Sequence, residues 1–80
     1  MRDTELESRV AAILRDVTAN PGLPVELGME LRSIPGWDSV SLVNAMLSIE
    51  DEFGIEFQAN EFATLDTVED VARLIETMRA

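Results

Sequence analysis

Eighty residues with 46% apolar types can build one small core, so residues 1–80 are expected to form a single domain. The chain has no His, Cys, Lys or Tyr, which excludes disulfides, thiolate or amine nucleophiles, cysteine-held zinc and a histidine general base. Sixteen carboxylates against six arginines give a formal charge of −10, and phosphates repel such a surface, so neither nucleic acid nor an anionic membrane is an expected partner.

Apolar runs are only a few residues long, too short to span a bilayer. The charged start, MRDTELESRV, lacks the apolar stretch of a secretory signal, and the expected location is cytoplasmic. The apolar residues are too regularly spaced for a disordered chain, so a folded domain is expected; separately, the chain is expected to be a monomer.

The first helix is expected from Thr4, whose spacing to Glu7 suits a capping box. Leu6, Val10, Ile13, Leu14 and Val17 form its apolar stripe, and Asn20-Pro21-Gly22 should stop it. Residues 20–37 hold all three prolines and three of the four glycines, and read as a long connection. Leu23, Val25, Leu27, Leu31 and Ile34 are expected to pin it to the core.

A second helix should open at Pro35-Gly36-Trp37-Asp38-Ser39, with Asp38 or Ser39 as its N-cap, and run to about Phe53 before Gly54. Ile55-Glu56-Phe57 reads as extended, Asn60 to Ala63 as one helical turn. Thr67 and Asp70 suit another capping start. Val68, Val71, Ala72, Ile75 and Met78 then mark a last helix ending near Arg79. The expected fold is all-α: three main helices, one short helix, and a long loop between the first two.

On a wheel, Leu42, Met46, Ile49 and Phe53 form one seam of the second helix, while Val40, Val43 and Leu47 form another. With Ala45 they cover roughly 220° at about 100° per residue, more than one core needs. Either the helix is buried on two sides or one seam is left for a partner. Ser41, Asn44, Ser48, Asp51 and Glu52 fall on the polar arc, and Glu50 lies beside the second seam.

Charge is uneven. Between Arg32 and Arg73 there is no basic residue, but there are nine acids: Asp38, Glu50, Asp51, Glu52, Glu56, Glu61, Asp66, Glu69 and Asp70. They read either as a solvated face or as a surface that steers basic partners. No spacing matches a calcium loop, and adjacent carboxylates such as Glu50/Asp51 point apart on a helix, so neither a metal site nor a catalytic pair is expected.

Ser39 stands where the long loop meets a helix N-terminus. It is either a simple cap element or an accessible hydroxyl whose anionic adduct would face the positive end of the helix. The residues around it bear a resemblance. Gly36-Trp37-Asp38-Ser39-Val40-Ser41-Leu42-Val43-Asn44, followed by Glu50-Asp51-Glu52-Phe53-Gly54-Ile55-Glu56-Phe57, is similar to the D-S-L opening and E-E-x-F-x-I closing of the second helix in the acyl carrier protein family. Leu65 to Val71 resembles the start of that family's last helix, and length, acidity and helix order agree across the chain.

The resemblance implies that Ser39, beside Asp38, carries 4′-phosphopantetheine derived from coenzyme A, and that the chain is a carrier rather than an enzyme. It also implies partners: a phosphopantetheinyl transferase, an acyl-loading ligase or acyltransferase, and synthase enzymes of fatty-acid, polyketide or related biosynthesis with basic docking patches. By position Asp38, Glu50 and Asp51 supply charge, Val40, Val43 and Leu47 apolar contact, and Asn44 stands where fatty-acid carriers often have an acid. Val40 replaces the family's usual Leu. The G-W-D-S form is similar to discrete, pathway-dedicated carriers, with Trp37 either packed under the loop or facing partners. An aminoacyl or peptidyl carrier would use the same serine, and an unmodified acidic adaptor would dock without it.

Overall fold

The computed structural model describes residues 4–79. Four helices follow one another: α1 (Thr4–Val17), α2 (Ser39–Phe53), α3 (Ala59–Ala63) and α4 (Val68–Arg79). A single 3-10 turn, Leu31–Ser33, interrupts the connection between α1 and α2. The architecture is the expected small all-α bundle, with α1 packed on both α2 and α4.

Helix α1 buries Leu6, Val10, Ala11 and Leu14, while Ile13 and Val17 flank that stripe half-buried. Both of its expected ends need correction. Thr4 is already helical and so is not the cap expected of it. The C-terminus closes before Pro21 is reached. Ala19 N–H donates to Asp16 O (3.1 Å) and Asn20 N–H to Arg15 O (2.9 Å), the paired bonds of a Schellman motif. Ala19 itself takes the left-handed conformation at φ 53°, a place glycine usually fills.

The long connection is ordered because it serves the first turn of α4. A helix start leaves unpaired N–H groups. Here the Val68 N–H donates to Met29 O (3.0 Å) and the Glu69 N–H to Leu27 O (2.9 Å). In return the Leu31 N–H donates to Asp66 O (2.8 Å), within an isolated antiparallel bridge between Glu30 and Thr67. Arg15 Nε donates to Leu23 O at 2.7 Å and ties the loop to α1. Leu23, Leu31 and Ile34 are buried, with Val25 and Leu27 packed beside them, as their apolar character requires.

The other boundaries follow local chemistry. Gly54 sits at φ 66°, and both its N–H and that of Ile55 donate to Glu50 O, closing α2. Thr67 and Asp70 form the reciprocal cap of α4: Asp70 N–H donates to Thr67 Oγ1 and Thr67 N–H to Asp70 Oδ2, both at 3.1 Å. The Asp66 and Thr67 N–H groups hold the Asp70 carboxyl below the usual carboxylate range. Short α3 contributes Phe62, whose ring lies 5.2 Å from that of Phe57.

Inside, Leu6, Val10 and Leu14 of α1 meet Ala45 and Ile49 of α2 and Val68, Val71 and Ile75 of α4. Each such large apolar side chain contributes about 1.5–3 kcal/mol on full burial. At the far end of α2 from Ser39, the Arg9 and Arg79 guanidinium groups lie 5.8 and 5.4 Å from the Phe53 ring centroid. Arg9 also pairs with Glu52 (3.5 Å), so this end joins α1, α2 and α4.

Candidate functional site at the start of helix α2

Helix α2 packs on α1 and turns one seam into the shared core, which leaves its other apolar seam uncovered. Ala45 and Ile49 are buried, and Leu42, Met46 and Phe53 pack against the core at their edges. Val40, Val43 and Leu47 stay 66%, 45% and 53% exposed. The wide apolar arc is therefore not a doubly buried helix. It is one core seam beside one solvent-facing seam.

Exposed Asn44 and Asp51 fall on that same stripe at helical spacing. From Val40 to Asp51 it runs about 16 Å along the axis at 1.5 Å per residue. Glu50 does not join it freely. It is half-buried, and its Oε2 accepts from the Phe57 N–H at 2.6 Å, fastening the link to α3. Glu52 is engaged by Arg9. Asp51 is thus the acid of this run that makes neither of those internal contacts.

Between the two capping candidates the structure chooses Asp38. It is extended at φ −147°, and its Oδ1 accepts from the Ser41 N–H at 2.9 Å. That N–H, then the Ser41 hydroxyl and the Val40 N–H, hold the Asp38 carboxyl below the usual carboxylate range. Ser39 is released from capping and becomes the first residue of α2. It is exposed, and among the described residues its hydroxyl makes no hydrogen bond. Trp37 is half-buried against the core cluster, on the loop side of the junction.

Ser41 corrects the wheel, which placed it on the polar arc. It is only 6% exposed, and its Oγ lies 3.2 Å from Gly36 O and 3.1 Å from Asp38 Oδ1. The signal was available, since Ser41, Ala45 and Ile49 recur on one face, but a hydroxyl alone reads as solvent-facing. Open clefts of about 370 Å³ (Glu7, Val25, Leu27, Val68) and 610 Å³ (Ala12, Arg15, Ala19, Pro21) lie elsewhere, and Ser39 lines neither.

Among the described residues no cluster of acids is arranged to hold a metal, and no helix is long and apolar enough to cross a membrane. What the junction does offer is a free hydroxyl at the positive end of a helix, next to a partly apolar stripe.

Comparison with known proteins agrees with that geometry. The profile of the phosphopantetheine attachment site family matches residues 8–75. Acyl carrier protein 3 of Ralstonia nicotianae is 28% identical over 80 residues, which is 100% of this chain and 92% of that protein. The chloroplastic acyl carrier proteins 3 and 1 of Cuphea lanceolata are 32% and 31% identical over 74 residues. Those alignments take in 92% of this chain but only 52% and 53% of the plant proteins, so the chain spans about half their length. With its helical fold, its carrier-like sequence and a family profile over most of its length, the chain belongs to the acyl carrier protein family and takes that family's covalent group, 4′-phosphopantetheine.

Proposed function

We propose that this chain is a discrete acyl carrier in which Ser39 is the attachment residue and the Val40–Asp51 stripe is the docking surface. The observation that carries the reading is the division of labour at the junction: Asp38 caps the helix, which leaves the exposed Ser39 hydroxyl without an internal partner. The residues fit the group. A phosphodiester on Ser39 lies at the N-terminus of a 15-residue helix, where an anion gains about 0.3–1 kcal/mol.

In the attachment step the Ser39 oxygen attacks the coenzyme A phosphorus that bears the pantetheine. A new P–O bond forms, the pyrophosphate P–O bond breaks, and adenosine 3′,5′-bisphosphate leaves. The hydroxyl proton passes to a base on the transferase, since this chain has no histidine and its adjacent Asp38 carboxylate is engaged by Ser41. When bound, the group supplies the thiol that holds acyl cargo as a thioester, a thiol this Cys-free chain lacks.

The chain's own part is presentation. Family members are non-catalytic carriers that work with transferase and synthase enzymes. Here Val40, Val43 and Leu47 offer apolar contact for dwell, Asn44 a neutral hydrogen-bonding group, and Asp51 charge for encounter. Asp38 and Glu50 act by holding the two ends of the surface in place, through the cap and the Phe57 contact. The cargo and its pathway are set by the loading enzyme.

The test is an intact mass after incubation with coenzyme A and a promiscuous phosphopantetheinyl transferase. The proposal expects one adduct on the wild type and none on Ser39→Ala. An unmodified wild type, or an adduct that persists on Ser39→Ala, would remove it. Aminoacyl loading by adenylating ligases, without acyl transfer, would reassign the cargo and leave the attachment residue standing.

A further inference from the structure

We infer that Ser41 is a positioning residue for the modification of Ser39: its buried hydroxyl ties the Gly36 turn to the Asp38 cap and so fixes the junction on which Ser39 is presented. This rests on the reading of Ser39 as the attachment residue.

The geometry is specific. Ser41 Oγ lies 3.2 Å from Gly36 O and 3.1 Å from Asp38 Oδ1. Both distances exceed the ~2.7–2.8 Å typical of an unshared O–H···O bond. An ionised carboxylate and a carbonyl are both acceptors, so the one hydroxyl proton is shared between them. One side chain thereby ties the turn before the helix to the capping residue, while its own N–H donates to the same carboxylate at 2.9 Å.

The turn needs such a tie. Gly36 takes φ 83°, a conformation that glycine adopts and leaves with equal ease. Trp37 N–H donates to Ile34 O at 3.0 Å, which fixes the loop side. The Ser41 hydroxyl fixes the helix side. Because Ser41 is 6% exposed, it acts through Asp38 and Gly36 rather than by touching a partner.

Removing the hydroxyl leaves the Gly36 carbonyl without that donor and lets the junction sample other conformers. The apparent affinity of a partner falls with the fraction of competent conformer. Once bound at saturation, the junction is held by the partner, so the maximal rate is preserved. A net hydrogen bond shifts such an equilibrium by about fivefold.

The experiment is steady-state modification of apo-protein by a promiscuous phosphopantetheinyl transferase with saturating coenzyme A, comparing wild type, Ser41→Ala, Ile75→Val and Ser39→Ala. Ile75 is fully buried in α4, and its shortening lowers stability without touching the junction. The expected result is a KM for the carrier raised measurably, by at most about fivefold, in Ser41→Ala, kcat unchanged beside it, and wild-type kinetics for Ile75→Val. An unchanged KM in Ser41→Ala overturns the inference while Ser39 stands. An equal KM rise in Ile75→Val overturns it too, because general loosening would then be sufficient. Modification of Ser39→Ala overturns both readings together.

Discussion

Leu47→Ala separates folding from docking on a single helix. Leu47 leaves 53% of its surface in water, so about half of its burial energy is already realised in the fold. Full burial of a leucine is worth about 1.5–3 kcal/mol, so the half in place contributes roughly 1 kcal/mol. Alanine is the better helix former and returns a small part of this. The expected loss of stability is no more than about 1 kcal/mol, or ~4–8 °C for a domain of this size. Ile49, two residues away, is wholly buried, and Ile49→Ala is expected to cost about 2–5 kcal/mol because a cavity is left behind. The exposed half of Leu47 is what a partner can cover. Its loss removes another ~1 kcal/mol from docking, or about fivefold in affinity. Thermal melts followed by circular dichroism give the first quantity, and the transferase KM for the carrier gives the second. Leu47→Ala melting as early as Ile49→Ala would show that the residue is core. An unchanged KM would show that the stripe does not dock.

Other outcomes follow from individual residues. Ala19→Gly should raise the melting temperature, by up to about 1 kcal/mol of stability, because glycine removes the left-handed strain at φ 53° while losing some entropy in the unfolded chain; a lower melting temperature would contradict the Schellman reading. The Asp38 carboxyl titrates below its ordinary value in the folded chain, so its stabilisation is present above an unfolded pKa of about 3.9 and is lost as pH falls through the lower folded value. The melting difference between wild type and Asp38→Asn should therefore be largest above about pH 5 and close at lower pH; a difference that stays constant would refute the cap. Nine acids crowd residues 33–72 without a basic residue, so raising ionic strength from 0.01 to 0.15 M, which shortens the screening length from about 30 to 8 Å, should raise the melting temperature. A melting temperature unmoved by salt would mean that the local repulsion is not felt.

Much of the fold is legible in short-range chemistry. Asp38 and Gly54 bracket α2, and Thr67 with Asp70 opens α4, because a cap is a contact between residues three or four positions apart. The pattern of Val40, Val43 and Leu47 against Leu42, Met46 and Ile49 showed two apolar seams, but only the bundle's size decides which one is left outside. What the sequence hides is what distant residues supply. The carbonyls of Leu27 and Met29 meet the first turn of α4 some forty residues on, which is why a loop rich in glycine and proline is ordered. Ser41 reads as polar surface until Gly36 and Asp38 are brought around it. Ala19 in a left-handed turn runs against local preference, and backbone bonds to Asp16 and Arg15 hold it there.

The proposed attachment residue was legible only in part. An Asp-Ser pair before a helix leaves open which of the two caps. The structure assigns the cap to Asp38, and with it the exposed, unengaged hydroxyl to Ser39. The most direct measurement is tandem mass spectrometry of peptides from protein modified by the transferase with coenzyme A. The phosphopantetheine mass is expected on Ser39 alone. Its appearance on Ser8, Ser33, Ser41 or Ser48, or its absence from every serine while the transferase modifies a control carrier, would contradict the account.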